Sequence, residues 1–154
     1  MKLKVADYYY GAVLSSLFNA GIRPALIEGG ESRRVYEFTT DQGDFRLFVK
    51  YRSNPLNKTK VDYTSWQFVF SDDEVKELRK YIDDKKHLSV ALVCGCQGMG
   101  SSELAVLHKE EVQKILDAGK NSITVSRRKG EKAFRVFVGG GRSDALQVKA
   151  NRLY

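Results

Sequence analysis

A cluster of cations near the end of the chain has the side-chain types needed to bind phosphate. Basic and aromatic residues alternate there, namely Arg127, Arg128, Lys129, Lys132, Phe134, Arg135 and Phe137. Clustered cations can contact successive phosphates, and aromatic rings can stack on bases. The pattern therefore predicts contacts to DNA or RNA. The alternative is a solvated turn whose two phenylalanines belong to the core.

The charge of the chain is unevenly spread. The net charge is +7, and residues 121–154 contain eight basic and two acidic side chains. A basic end of this kind favours nucleic-acid binding, because neutralised phosphates release their counterions. Arg142, Lys149 and Arg152 could extend the same surface. A basic surface without a partner remains the alternative.

The glycine-rich segment Gly95–Ser102 has the glycine spacing of a phosphate-binding P-loop. Ser101 stands where such a loop has its lysine, which would supply the charge on the phosphates. We therefore expect a connection between two strands, with a nucleotide site as the alternative.

Cys94 and Cys96 are too close in sequence for a relaxed disulfide, and no histidine is near enough to complete a zinc site.

Hydrophobic periodicity predicts three helices and a series of strands around these residues. Helices are expected over Asp7–Ala20, with Asp7 as N-cap, from Ser71 onwards, and over Lys109–Ala118. Alternating or apolar segments predict strands at residues 23–28, Arg33–Thr40, Phe45–Tyr51, Trp66–Phe70, Leu88–Cys94, Glu103–Leu107, Ser122–Arg127, Ala133–Val138 and Leu146–Ala150. The continuous apolar run Leu88–Cys94 is typical of a strand buried on both faces. With Phe45–Tyr51 and the helix between them, it predicts a β-α-β unit.

The order of helix, three-strand meander, helix and buried strand, over about residues 7–94, resembles the PD-(D/E)XK (restriction-endonuclease-like) nuclease superfamily. In that superfamily an aspartate begins the second strand, and Glu-x-Lys lies at the end of the third. Lys50 matches the superfamily lysine. Phe48 stands at the glutamate position, and the aspartate position falls near Arg34 or Val35.

The resemblance implies a single α/β domain over residues 1–154, with a mixed central sheet flanked by helices. The strands Ser122–Arg127 and Ala133–Val138, on either side of Lys129-Gly130, predict a C-terminal β-hairpin. It also implies a degenerate metal site. Glu37 and Glu28 are the nearest carboxylates that could replace the missing acids as ligands of Mg²⁺ or Mn²⁺. If the chain is catalytic, Lys50 would support metal-dependent phosphodiester hydrolysis together with these two acids.

The predicted function is that of a cytoplasmic, nucleic-acid-associated protein of nuclease-like ancestry. The cations expected to contact phosphate are Lys50, Arg52, Arg127, Arg128, Lys129 and Lys132. The alternative is a non-catalytic module that binds a protein partner or forms a homodimer. No apolar run is long enough to predict a membrane span, and the two cysteines are consistent with a reducing compartment.

Overall fold

The computed structural model describes residues 1–56, 62–140 and 144–154. These residues form three helices, α1 (Val5–Asn19), α2 (Asp72–Ile82) and α3 (Lys109–Asp117). They also form nine strands: β1 (Ala25–Glu28), β2 (Arg34–Thr40), β3 (Gly43–Arg52), β4 (Tyr63–Val69), β5 (His87–Cys94), β6 (Glu103–His108), β7 (Ser122–Arg128), β8 (Ala133–Phe137) and β9 (Leu146–Lys149).

The first sheet, called the mixed sheet below, has the strand order β1-β2-β3-β5-β6. β1, β2 and β3 form an antiparallel meander, and β3 pairs with β5 in parallel. Because parallel neighbours need a crossover, α2 lies between them in the chain. The parallel pairing of the predicted β-α-β unit is thus confirmed.

The second sheet, called the antiparallel sheet below, has the order β4-β7-β8-β9. It contains the predicted C-terminal hairpin, formed by β7 and β8, and the predicted last strand, β9. The sequence did not indicate that β4 would leave the mixed sheet and pair with β7 along its whole length, from Tyr63 opposite Arg128 to Val69 opposite Ser122. The hairpin is therefore the centre of a larger sheet.

Two apolar clusters lie on opposite faces of the mixed sheet. On one face α1 packs against alternate residues of β3, which include Phe45, Leu47 and Val49. On the other face Phe48 lies in a larger cluster shared by α2, α3 and the inner face of the antiparallel sheet. The predicted alternation of side chains along β3 is confirmed. Lys50 follows the same alternation and so lies on the side of the larger cluster.

Local contacts account for the ends of α1 and α2. Ser71 caps α2, accepting a hydrogen bond from the Glu74 amide at 3.1 Å. Gly21, after α1, has a φ of +80°, as expected of a left-handed glycine at a helix end. The assignment of Asp7 as the N-cap of α1 is wrong, because the helix begins at Val5. Asp7 is the third residue of the helix, where its carboxylate accepts from the Lys4 amide.

No helix in the described part of the chain is long and apolar enough to cross a membrane.

Candidate nucleic-acid interface

Lys50, the residue that matches the superfamily lysine, is held in a buried ion pair. Its Nζ donates to both carboxylate oxygens of Glu74, at 2.9 and 2.8 Å. Both residues are almost fully buried, with 7% and 6% of their surface exposed. Glu74 also accepts a hydrogen bond from the Ser71 amide. The charge of Lys50 is therefore neutralised by an acid in the first turn of α2.

The sequence pattern predicted the start of α2 at Ser71 but missed Glu74 as the partner of Lys50. The spacing of Ser71 and Glu74 is that of a capping box, and it predicts the helix start correctly. It does not say which part of the sheet lies under that first turn. Only the packing of α2 over β3 brings the two charges together.

Glu37 is also paired, but with different cations. Its carboxylate accepts from Arg46 and from Lys86, both at 2.8 Å. The hydrogen bond from Lys86, with a further contribution from Arg46, holds the pKa of Glu37 below its ordinary value of 4.5, although partial burial opposes the shift. Two cations therefore already neutralise this carboxylate.

The strand register separates Glu37 from the predicted catalytic lysine. Glu37 lies opposite Arg46, four residues before Lys50 along β3, which corresponds to about 13 Å. Glu28 lies opposite Val35 at the end of β1, a strand exposed along its whole length. Within residues 1–56, 62–140 and 144–154, no three His, Cys, Asp or Glu side chains are grouped so that they could hold a metal ion. This part of the chain therefore offers no cluster of three such ligands that includes Glu28 or Glu37.

The predicted phosphate-binding cations near the end of the chain divide into two groups. Arg128, Lys129 and Lys132 are exposed at the connection between β7 and β8, and we call these three residues the basic turn. Backbone hydrogen bonds fix the turn. The Lys129 amide donates to the Asp62 carbonyl at 2.8 Å, and the Lys132 carbonyl accepts from Ala150 at 3.0 Å. Three cations are therefore presented to solvent from one short segment.

The remaining predicted cations are placed elsewhere. Arg127 points to the inner side of the antiparallel sheet, where it donates to Glu103 at 3.1 Å and lies over the ring of Phe134. Arg52 is exposed, but it lies at the end of β3 in the mixed sheet. Arg152 donates to Glu111 at 2.6 Å and so does not extend the basic surface as suggested. Arg142 lies outside the described residues.

Beside the basic turn, the outward side of the antiparallel sheet forms a shallow cavity of about 280 Å³. We call this side the open face. Its lining combines aromatic rings, hydroxyls and guanidinium groups, from Tyr63, Ser65, Thr124, Ser126, Arg128, Arg135 and Phe137. The lining residues come from three neighbouring strands, because alternate residues of each strand point to the same side.

Cross-strand pairs fix the arrangement of the open face. Tyr63 lies opposite Arg128, so that a ring and a cation are neighbours at the end nearest the basic turn. Ser126 lies opposite Arg135, and Thr124 lies opposite Phe137. Arg135 donates to Glu131 at 2.9 Å, so its charge is partly neutralised.

The two phenylalanines of β8 have different environments. Phe134 is fully buried, which confirms the core interpretation for this residue. Phe137 is half-buried and lines the open face. The odd spacing between the two residues places them on opposite sides of the strand.

The glycine-rich segment Gly95–Ser102 leads from β5 into β6, so a strand and not a helix follows it. The predicted connection between strands is confirmed. Without a helix N-terminus the segment lacks the amides and dipole that favour phosphate at such loops. A Cβ at Gly95 would lie 2.5 Å from the Arg52 carbonyl oxygen and 2.7 Å from the Tyr9 hydroxyl. Close packing accounts for this glycine.

No protein-family model, no curated protein and no solved structure matches this chain.

Proposed function

We propose that this protein binds nucleic acid and that the basic turn holds the phosphates. The observation that carries the proposal is the exposure of Arg128, Lys129 and Lys132 together, next to a sheet face that offers further polar and aromatic groups. Phosphate contacts of this kind give affinity and position the ligand, without reading its sequence.

The electrostatics of this region support the proposal. Residues 121–154 contain eight basic and only two acidic side chains. One of the acids, Glu131, is paired with Arg135, and Arg127 is paired with Glu103. The three cations of the basic turn make no ion pair in the described part of the chain. These cations can therefore neutralise phosphates without first breaking an ion pair to another described residue.

Binding without hydrolysis is the form of the function that the side-chain geometry favours. The ammonium group of Lys50 is paired with Glu74, and the carboxylate of Glu37 is neutralised by Arg46 and Lys86. Nuclease-like ancestry remains a prediction. The meander β1-β2-β3 and the parallel pair β3-β5 are consistent with it, but many unrelated α/β proteins have such a unit.

The proposal can be tested by fluorescence anisotropy with labelled DNA and RNA oligonucleotides over a series of salt concentrations. The triple variant Arg128→Ala/Lys129→Ala/Lys132→Ala should bind more weakly at low salt. The slope of log K against log salt concentration should become shallower by about 2 to 3, since each lost phosphate contact removes roughly 0.7–0.9.

A matched control removes the same charge elsewhere. Lys76→Ala/Lys80→Ala/Lys114→Ala lies on exposed positions of α2 and α3, and it should retain the affinity and slope of the wild type. Equal losses in both triple variants would mean that net charge, and not the basic turn, drives binding. If the wild type binds no oligonucleotide even at low salt, the proposal is wrong. The protein-interaction or homodimer hypothesis would then be tested by sedimentation.

A further inference from the structure

We infer that the open face selects single-stranded nucleic acid by stacking unpaired bases on Tyr63 and Phe137, an inference that rests on the proposed nucleic-acid binding. The basic turn alone would hold the phosphates of a duplex as well as those of a single strand. The open face adds groups that a duplex cannot use, because its bases are already stacked and paired.

The two rings lie on the solvent side of a sheet whose other large aromatic residues point inward. Trp66, Phe68 and Phe134 are buried, with 2% or less of their surface exposed. Tyr63 is 36% exposed and Phe137 is half-buried. A ring on this side contributes little to the main apolar cluster but presents a surface on which a base can stack, irrespective of its sequence.

The spacing of the rings suits successive contacts along an extended strand. Tyr63 is on β4 and Phe137 on β8, with β7 between them. Their register places them about 10 Å apart across the strands and about 13 Å apart along them. The path between the rings crosses the polar part of the open face. Bound bases would therefore follow a diagonal line across the sheet.

The groups between the rings can hydrogen-bond to the edges of unpaired bases. The Thr124 hydroxyl and the Arg135 guanidinium line the cavity there. Ser126 lies in the same row as Arg135 and accepts a hydrogen bond from the Ser65 hydroxyl at 3.4 Å. A cavity of about 280 Å³ has room for a flat heterocycle. The cations of the basic turn, at one end of this line, would bind the phosphates of the same strand.

The test compares three ligands of equal length: a single-stranded DNA, its duplex, and a single strand in which abasic sites replace the central nucleotides. We expect the wild-type protein to bind the single strand more tightly than the duplex. The abasic strand should also bind weakly, because it keeps the phosphates but lacks the rings that stack.

The variants Tyr63→Leu and Phe137→Leu remove the ring but retain apolar bulk, so the fold should be kept, and thermal unfolding checks this. Each should weaken single-strand binding by roughly five- to 150-fold, the range found when a stacking ring is lost, with an unchanged salt slope. Phe137→Tyr keeps a ring and should restore affinity. Tyr8→Leu, exposed on α1, is the control and should bind as the wild type does.

The outcomes separate this inference from the proposed function. If single strand, duplex and abasic strand bind equally, and the leucine variants bind as well as the wild type, stacking is excluded while phosphate binding by the basic turn stands. If no ligand binds, both proposals fail. Loss of single-strand binding in the leucine variants, with duplex binding unchanged, would support the inference.

Discussion

At the scale of single residues, the buried pair of Lys50 and Glu74 determines what Lys50 can contact in this protein. A lysine that positions water in a nuclease must reach the scissile phosphate. Here both oxygens of Glu74 occupy its ammonium group at 2.8–2.9 Å, beneath the start of α2. Lys50 thus stabilises the contact between β3 and α2.

Breaking the Lys50–Glu74 pair should destabilise the fold. Lys50→Met would leave the Glu74 carboxylate buried and unpaired, which typically costs about 3–5 kcal/mol of unfolding free energy. The double variant Lys50→Met/Glu74→Gln should recover most of this loss, because glutamine is neutral and still able to complete the capping box. Urea unfolding measures both variants. A loss below about 0.5 kcal/mol in Lys50→Met would show that the pair is open to water.

Glu37 should make stability depend on pH in the acid range. Its pKa is lowered in the folded protein by hydrogen bonds from Lys86 and Arg46. The folded state therefore favours the carboxylate. The stability that this group contributes is fully present above its ordinary value of 4.5 and is lost as the pH falls below that value towards the lowered folded pKa.

The variant Glu37→Gln tests this dependence by urea unfolding from about pH 7 down to about pH 3, a range that spans the ordinary glutamate pKa. The wild type should be more stable than the variant at neutral pH, and the difference should shrink as the pH falls below 4.5. Glu110→Gln, an exposed substitution on α3, is the control. A difference that stays constant over the whole range would contradict the pairing.

At the scale of elements, the connection between β5 and β6 depends on a close approach at Gly95. The Gly95 amide donates to the Arg52 carbonyl at 2.8 Å, and its own carbonyl accepts from the Trp66 indole at 2.8 Å. This residue therefore links β3, β4 and β5, and so joins the mixed sheet to the antiparallel sheet. A side chain at this point would push against backbone, which cannot move aside easily.

Gly95→Ala should destabilise the protein by about 1–3 kcal/mol, the usual cost of forcing an extra carbon into a packed site. Gly100→Ala is a matched control in the same connection, because a Cβ there meets nothing within 4 Å. Thermal or urea unfolding distinguishes the two. Equal stability of both variants would show that the Arg52 and Tyr9 contacts relax without cost.

The elements themselves were largely predictable from local patterns. The apolar run Leu88–Cys94 predicted a strand buried on both faces, and β5 is buried from Leu88 to Cys94. The Ser71 capping box predicted the start of α2 because both of its hydrogen bonds are local. The predicted start of α1 was wrong. Asp7 has the side chain of an N-cap, but the helix begins two residues earlier, at Val5.

At the scale of the whole molecule, chain folding decides which charges are available to a partner. Arg127 and Arg128 are adjacent in sequence, yet one is paired with Glu103 on the inner side and the other is exposed on the open face. The number of cations in residues 121–154 predicts a basic surface, but it does not say which of these cations are exposed. The salt slopes of the basic-turn triple variant and of its control on α2 and α3 report which cations the fold presents to a ligand.

The local elements, the β-α-β unit and the excess of positive charge near the chain end were predictable from the sequence. These properties follow from hydrophobic periodicity, capping and composition, which act over a few residues. Three features depend on long-range contacts: β4 pairs with β7, Lys50 meets Glu74, and Glu37 pairs with Arg46 and Lys86, away from Lys50. Such contacts join residues distant in sequence, and a shift of one residue in register turns a side chain to the opposite face of its sheet.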